Sequence, residues 1–377
     1  MAATKGRGPL DGIRVVEFAA LGPLAQAGMM LAAMGAQVDR IDRPDPTDEE
    51  RVSSSSNVLN RGRRSIVLDL KTDADRETAR DLMARADIVM EGFRPGVMER
   101  LGLGPDDILP QNEHVIYARM SGWRRDGARA SAPGHDINFL AAAGVLDAIG
   151  TTTSGPVPPL MLVGDFGAGM NLAFALVCAL REREISGRGQ VIEGSIHEST
   201  MSLGTFLFGA VASGRWSTQR GTNAWDTGAH FYNVYRTRDD RWLSVGSVEP
   251  HFYAALLRVL GVSIDDAPQW DRDRWPALTE RFAQIIASRD LAEWEKAFDG
   301  VDACVETVRN VTEVAADPRL QAEGSLLPTP MGVLPRVTAR FSRSAEVVGS
   351  AAPEIGAHSE EIRGELSSRP ASGKGSA

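Results

Sequence analysis

The chain has 377 residues, 43% of them hydrophobic and 24% charged, with a formal net charge of −9. Such a length can bury a substantial core and points to about two or three domains, while the acidic balance argues against nucleic acid or an anionic membrane as the main partner. The two cysteines, Cys178 and Cys304, form no CxxC pair; this excludes a cysteine-rich metal site, fits a reducing compartment and leaves both to be read as small core residues.

The first nine residues hold no apolar signal-type run and no uncharged stretch reaches membrane-spanning length, so a cytoplasmic protein is expected. A strand over 13–18, an apolar helix over 24–34 stopped by Gly35-Ala36, and a strand over 38–41 make a βαβ unit. A strand at 65–70, a helix at 73–85 and a strand at 87–90 continue the alternation, which predicts a parallel sheet with covering helices. The loop after the first strand is Ala19-Ala20-Leu21-Gly22-Pro23 rather than GxGxxG. The architecture therefore reads as α/β and Rossmann-like, without the close backbone approach that a dinucleotide pyrophosphate needs. Further along, Asp165 precedes an apolar helix over 166–183 closed by Ser186-Gly187-Arg188-Gly189, and a strand follows at 190–193. From Trp225 the texture changes: strands at 231–235 and 242–245 flank a polar turn, and amphipathic helices carrying Trp270, Trp275 and Trp294 follow. The expected organisation is a large domain over 8–205 completed by 318–350, a small α+β domain over 225–310, and a Ser/Gly/Pro/Ala-rich disordered tail over 366–377.

Three ionisable groups stand out. His135 enters an apolar helix in Gly134-His135-Asp136-Ile137-Asn138, Asp165 lies in Leu162-Val163-Gly164-Asp165-Phe166-Gly167, and Glu249 lies in Val248-Glu249-Pro250. An imidazole and two carboxylates at the edges of apolar, glycine-punctuated segments are costly to bury without partners, which suggests a site that needs proton carriers. Each also has a plain structural explanation: a histidine bonded to its neighbour Asp136, an N-cap at Asp165, a solvated carboxylate at Glu249. The remaining histidines, His114, His197, His251 and His358, show no ligand spacing such as HExxH, so no metal site is expected. His230 reads as a surface-turn histidine.

Several further motifs occur in order with these: Arg40-Ile41-Asp42-Arg43-Pro44, Glu91-Gly92-Phe93-Arg94-Pro95-Gly96-Val97, Arg100-Leu101-Gly102 and Gly187-Arg188-Gly189-Gln190-Val191. Together they make the chain resemble, over roughly residues 8–345, the family III coenzyme A transferase superfamily in its α-methylacyl-CoA racemase branch. The resemblance implies an acyl-CoA enzyme of lipid metabolism, needing no separate cofactor and built as an interlocked homodimer. It implies a coenzyme A-binding large domain, with His135, Asp165 and Glu249 as catalytic residues and Arg43, Leu68, Leu70, Arg94, Arg100 and Asp136 as coenzyme-binding ones; Arg40 and Leu21 lie close to that set. The chain departs from close relatives at Met161, where Asn is usual, at Phe139 in place of Tyr, at His230 in place of Pro, and at Glu306-Thr307 in place of Thr-Pro.

A thioester α-proton is too weakly acidic for a side chain to remove unless the enolate is stabilised. Racemisation also needs a proton taken from one face and returned to the other, a task for two bases such as His135 and Asp165; the resemblance implies that Glu249 pairs with His135 and tunes its protonation. The N-terminus of the helix after Asp165 is expected to face the enolate oxygen, and arginines suit coenzyme phosphates. The expected function is thus a 2-methylacyl-CoA racemase or epimerase working by 1,1-proton transfer. A family III CoA-transferase with Asp165 as covalent nucleophile and a non-catalytic acyl-CoA-binding relative are the alternatives.

Overall fold

The computed structural model describes residues 8–368 apart from 338. The chain divides into two compact units, the first made of 1–143, 160–203 and 317–377, the second of 144–159 and 204–316. The second unit thus takes in the segment 144–159, which lies inside the span expected of the large domain.

In chain order the first unit supplies β1 (Arg14–Phe18), α1 (Pro23–Ala33), β2 (Gln37–Asp42), α2 (Asp48–Ser56), β3 (Arg63–Val67), α3 (Asp73–Ala84), β4 (Ile88–Glu91), α4 (Val97–Arg100), α5 (Pro105–Ile108), β5 (Ile116–Ser121) and α6 (Asp136–Ala142). A short hairpin of β6 (Gly150–Thr151) and β7 (Gly155–Pro156) belongs to the second unit. The chain then resumes the first with α7 (Asp165–Ser186), β8 (Val191–Ser195) and α8 (Ile196–Leu203). The strands form one parallel sheet in the order β3-β2-β1-β4-β5-β8. Alternation along β1 sends Val15 to one face, under Leu24, Leu31, Leu172 and Leu176 of α1 and α7, and Val16 to the other, under Ala79, Leu82 and Met83 of α3. Helices on both faces are what a wholly parallel sheet requires. The strand order reverses direction at β1 and β4, and ligands of such sheets bind outside the carboxyl ends of the strands at that point.

Glu17 of β1 and Arg63 of β3 form an ion pair fully inside this unit, 2.8 Å apart. Gly28 of α1 makes the room, since a Cβ there would lie 2.1 Å from a Glu17 oxygen. The strand containing Arg63 therefore begins two residues before the expected one, because a buried ion pair rather than apolar periodicity defines its start.

The second unit continues with α9 (Thr205–Ala212), β9 (Tyr232–Arg236), β10 (Trp242–Gly246), α10 (Pro250–Leu260), α11 (Trp275–Ile286), α12 (Leu291–Phe298), β11 (Val305–Thr307) and α13 (Val311–Ala315). Its strands form an antiparallel sheet in the order β11-β10-β9. Phe231, Tyr235, Leu256, Trp275, Phe282 and Trp294 fill its core. His230 corrects the surface-turn reading, for it is fully buried among the rings of Phe231, Tyr253 and Phe282. Its Nε2 lies 2.6 Å from the Tyr253 hydroxyl, which donates onward to the Ala267 carbonyl, and burial pushes its pKa down to about 4.

The first unit is closed by α14 (Pro318–Ala322), the hairpin β12 (Leu326–Thr329) and β13 (Gly332–Pro335), and α15 (Ser359–Ser368). The closing segment runs beyond 350. Its backbone and side chains seal the outer edge of β3: the His358 N–H donates to the Ser65 carbonyl at 2.9 Å, and the Val67 N–H donates to Ser359 Oγ at 3.1 Å. Residues 366–368 of the expected disordered tail are the last turn of α15, where Leu366 packs on the core behind Ile362; residues 369–377 lie outside the described residues. Cys178 and Cys304 are exposed rather than in the core, since α7 turns Cys178 away from the sheet. Among the described residues no helix is long and apolar enough to cross a membrane.

Candidate active site

The carboxyl ends of β1, β4 and β5 converge with the starts of α6 and α7 on one set of side chains. Gly22, which ends the loop after β1, has a φ of 63°, and a Cβ on it would lie 2.7 Å from Asp165 Oδ2. The glycine that cannot serve a pyrophosphate thus gives space to a carboxylate. Gly164 does the same for Asp136, whose Oδ1 would lie 2.2 Å from a Cβ at that position. The Asp136 side chain is 8% exposed and accepts the Asp165 backbone N–H at 2.9 Å, so one carboxylate caps the helix that begins with the other.

His135 is the N-cap of α6 and exposed; its N–H donates to Asn138 Oδ1 at 3.0 Å. The start of α6 is held by Phe139, whose ring fills the space beside Gly122 and Gly134, where a Cβ would approach to 2.3 and 2.8 Å, and meets Trp123 edge-on at 4.9 Å. Asp165 is half-buried. Burial first, and then the negative charge of Asp136, push its carboxyl up to about 6, while His135 pulls the other way. A carboxyl tuned so close to neutrality can both take and give a proton at working pH.

Two of the N–H groups at the start of α7, where an enolate oxygen is expected, are already engaged. The Asp165 N–H is taken by Asp136 and the Phe166 N–H donates to the Met161 carbonyl at 3.0 Å. At the start of α6, the N–H groups of Asp136 and Ile137 have no partner among the described residues.

Of the coenzyme candidates, Arg43 follows β2, Arg94 lies in the turn after β4 and Arg100 ends α4; all three are exposed. Arg40 is 3% exposed and committed to Asp42 at 2.9 Å and Ser54 Oγ at 2.6 Å. Leu68 is 1% exposed and Leu70 packs against the same core, so the Leu68 side chain serves packing, and its N–H donates to the Asp42 carbonyl at 3.0 Å. Glu249 is the exposed N-cap of α10 in the second unit, where its charge helps raise the pKa of the Cys304 thiol behind the larger effect of burial. Sequence reasoning missed Gly22 and the bond from Asp165 to Asp136. The Gly-Pro pair at 22–23 was the available signal, because only a special backbone requirement explains glycine there.

The chain belongs to CoA-transferase family III, whose model matches residues 10–359. Over 363 residues it is 41% identical to the α-methylacyl-CoA racemase of Mus musculus, covering 94% of this chain and 92% of that protein. With the α-methylacyl-CoA racemase of Homo sapiens it shares 40% identity over 357 residues, and the same shares of each are covered. Among solved structures, Rv3272 of Mycobacterium tuberculosis superposes with a TM-score of 0.80 at 26% identity, covering 95% of this chain and 99% of that one.

Proposed function

We propose that the chain is a 2-methylacyl-CoA racemase or epimerase that moves the C2 proton through an enolate, with His135 and Asp165 as its two bases. The observation that carries this reading is the gathering of an exposed imidazole and a carboxyl near pKa 6 around one point at the sheet's switch. In one direction Asp165 takes the proton and His135 returns one to the opposite face; in the other the roles exchange. The unpartnered N–H groups of Asp136 and Ile137 are our assignment for the donors to the enolate oxygen. Arg43, Arg94 and Arg100 would face the phosphates of the coenzyme. Glu249 is proposed to reach His135 in an interlocked homodimer. In support of a dimer, α7 carries Met170, Phe174 and Val177 exposed along one face, with Phe174 at 70%, although its other face already fills the core. A second apolar stripe of this kind marks an interface. Two exposed free thiols fit a reducing compartment, which we take to be the cytoplasm.

In D₂O the protein is expected to place deuterium at C2 of either epimer of a 2-methylacyl-CoA and to drift to a mixture. His135→Ala and Asp165→Asn are each expected to lower that rate by about 10²-fold or more. Full retention of the C2 proton defeats the racemase reading. A covalent adduct on Asp165 during turnover, with coenzyme A moving to added carboxylic acids, assigns the chain to acyl transfer instead.

A further inference from the structure

We propose that Arg125, working through the buried Glu91, is a positioning residue that holds the turn after β4 so that Arg94 faces the phosphates of the coenzyme. The inference rests on the acyl-CoA reading above and adds to it a residue that does not itself meet the ligand.

Glu91 is the last residue of β4 and fully buried. Both of its oxygens are engaged: Oε2 accepts the Phe93 N–H at 2.6 Å, and Oε1 lies 3.2 Å from Arg125 Nη1. The same Nη1 donates to the Phe93 carbonyl at 3.2 Å. Carboxylate and guanidinium therefore grip Phe93 by both its N–H and its C=O. Its ring is held as well, edge-on to Phe18 at 5.8 Å. The next residue is Arg94, whose carbonyl accepts the Val97 N–H at 3.1 Å in a turn that Gly96 completes with a φ of 83°. Arg94 itself is exposed and makes no ion pair among the described residues.

The grip is braced from β5 and β8. Arg119 bonds to Glu99, lies 2.8 Å from Glu193, and stands 3.6 Å from Glu91, while Glu193 lies 3.5 Å from Arg125. Packing alone would not call for such an arrangement, since burying a carboxylate and a guanidinium costs several kcal/mol and apolar residues fill space more cheaply. What the pair adds is direction: a fixed Phe93 peptide aims the one side chain of this turn that is free to meet an anion.

The test is a double-mutant cycle on coenzyme A binding, measured by calorimetry on the full chain, with Arg94→Ala, Arg125→Met and the combined variant. Each single change is expected to weaken binding about tenfold, and the combined variant to bind no more weakly than Arg94→Ala alone. In turnover, Arg125→Met is expected to raise KM for a 2-methylacyl-CoA with kcat within about twofold, leaving KM for the matching 2-methylacyl-pantetheine, which lacks the phosphates, unchanged. The near-isosteric Glu91→Gln takes the place of Arg125→Met in the cycle if the latter does not fold. Additive losses, or an equal rise in KM for the pantetheine thioester, overturn the proposal. A wild-type protein that binds no coenzyme A defeats the acyl-CoA reading itself, an outcome distinct from additivity.

Discussion

Asp165 is half-buried and crowded by two neighbours, the carboxylate of Asp136 and Gly22. Removing the charge of Asp136 while keeping its acceptor, in Asp136→Asn, is expected to lower the Asp165 pKa from about 6. In the direction where Asp165 acts as the base, activity falls as pH drops through that pKa, so the acid limb of kcat/KM moves to lower pH. In the opposite direction Asp165 must start protonated, and the alkaline limb moves down with it. A profile unmoved for both epimers would detach Asp136 from the proton chemistry. If Asp165 is the proposed base, Gly22→Ala is expected to cost about 10²-fold in kcat, because its Cβ would lie 2.7 Å from Asp165 Oδ2 and displace that carboxylate. The positive φ adds about 1 kcal/mol of strain, which a thermal melt would register. Neither neighbour announces itself in the sequence. Asp136 reads there as a coenzyme contact or a local partner of His135, and Gly22 lies far along the chain from the carboxylate it accommodates.

The elements that were legible are those with a strong apolar rhythm, such as β1, α1, β2 and β4, whose periods of two and 3.6 survive in the folded chain. Strand β5 was missed because its run Ile116–Ser121 carries Arg119, a residue that makes sense only once Glu91 and Glu193 flank it on neighbouring strands. His230 was misread for a similar reason. Its polarity suggested a turn, while the Tyr253 hydroxyl that satisfies one ring nitrogen comes from α10. Because burial depresses its pKa from 6.5 to about 4, the folded second unit resists the proton that the unfolded chain accepts. Its contribution to stability is complete above about pH 6.5 and is lost as pH falls toward 4, an effect of about 3 kcal/mol. His230→Gln, which can still donate to Tyr253 but does not titrate, is expected to flatten the decline of Tm between those pH values. Parallel declines in the two proteins would acquit the histidine.

The division into two units and the exposed stripe on α7 bear on assembly. A Phe side chain contributes about 2–3 kcal/mol when buried, and a charge in its place must be desolvated without a partner. Phe174→Asp is therefore expected to shift the protein from dimer to monomer in sedimentation at micromolar concentration. If it leaves a stable dimer intact, the interface lies elsewhere. The expectation of an interlocked dimer rests on family resemblance alone, since no local pattern encodes a partner. The seal on β3 has a consequence of another kind. The strand at the sheet's edge emerges from the ribosome before the second unit, yet the segment that covers its Ser65 and Val67 N–H groups, 356–368, is made only after that unit. Throughout synthesis of the entire second unit, that open edge waits for its cover. Over the time spent translating 204–316, the nascent chain carries an edge open to pairing with another growing copy.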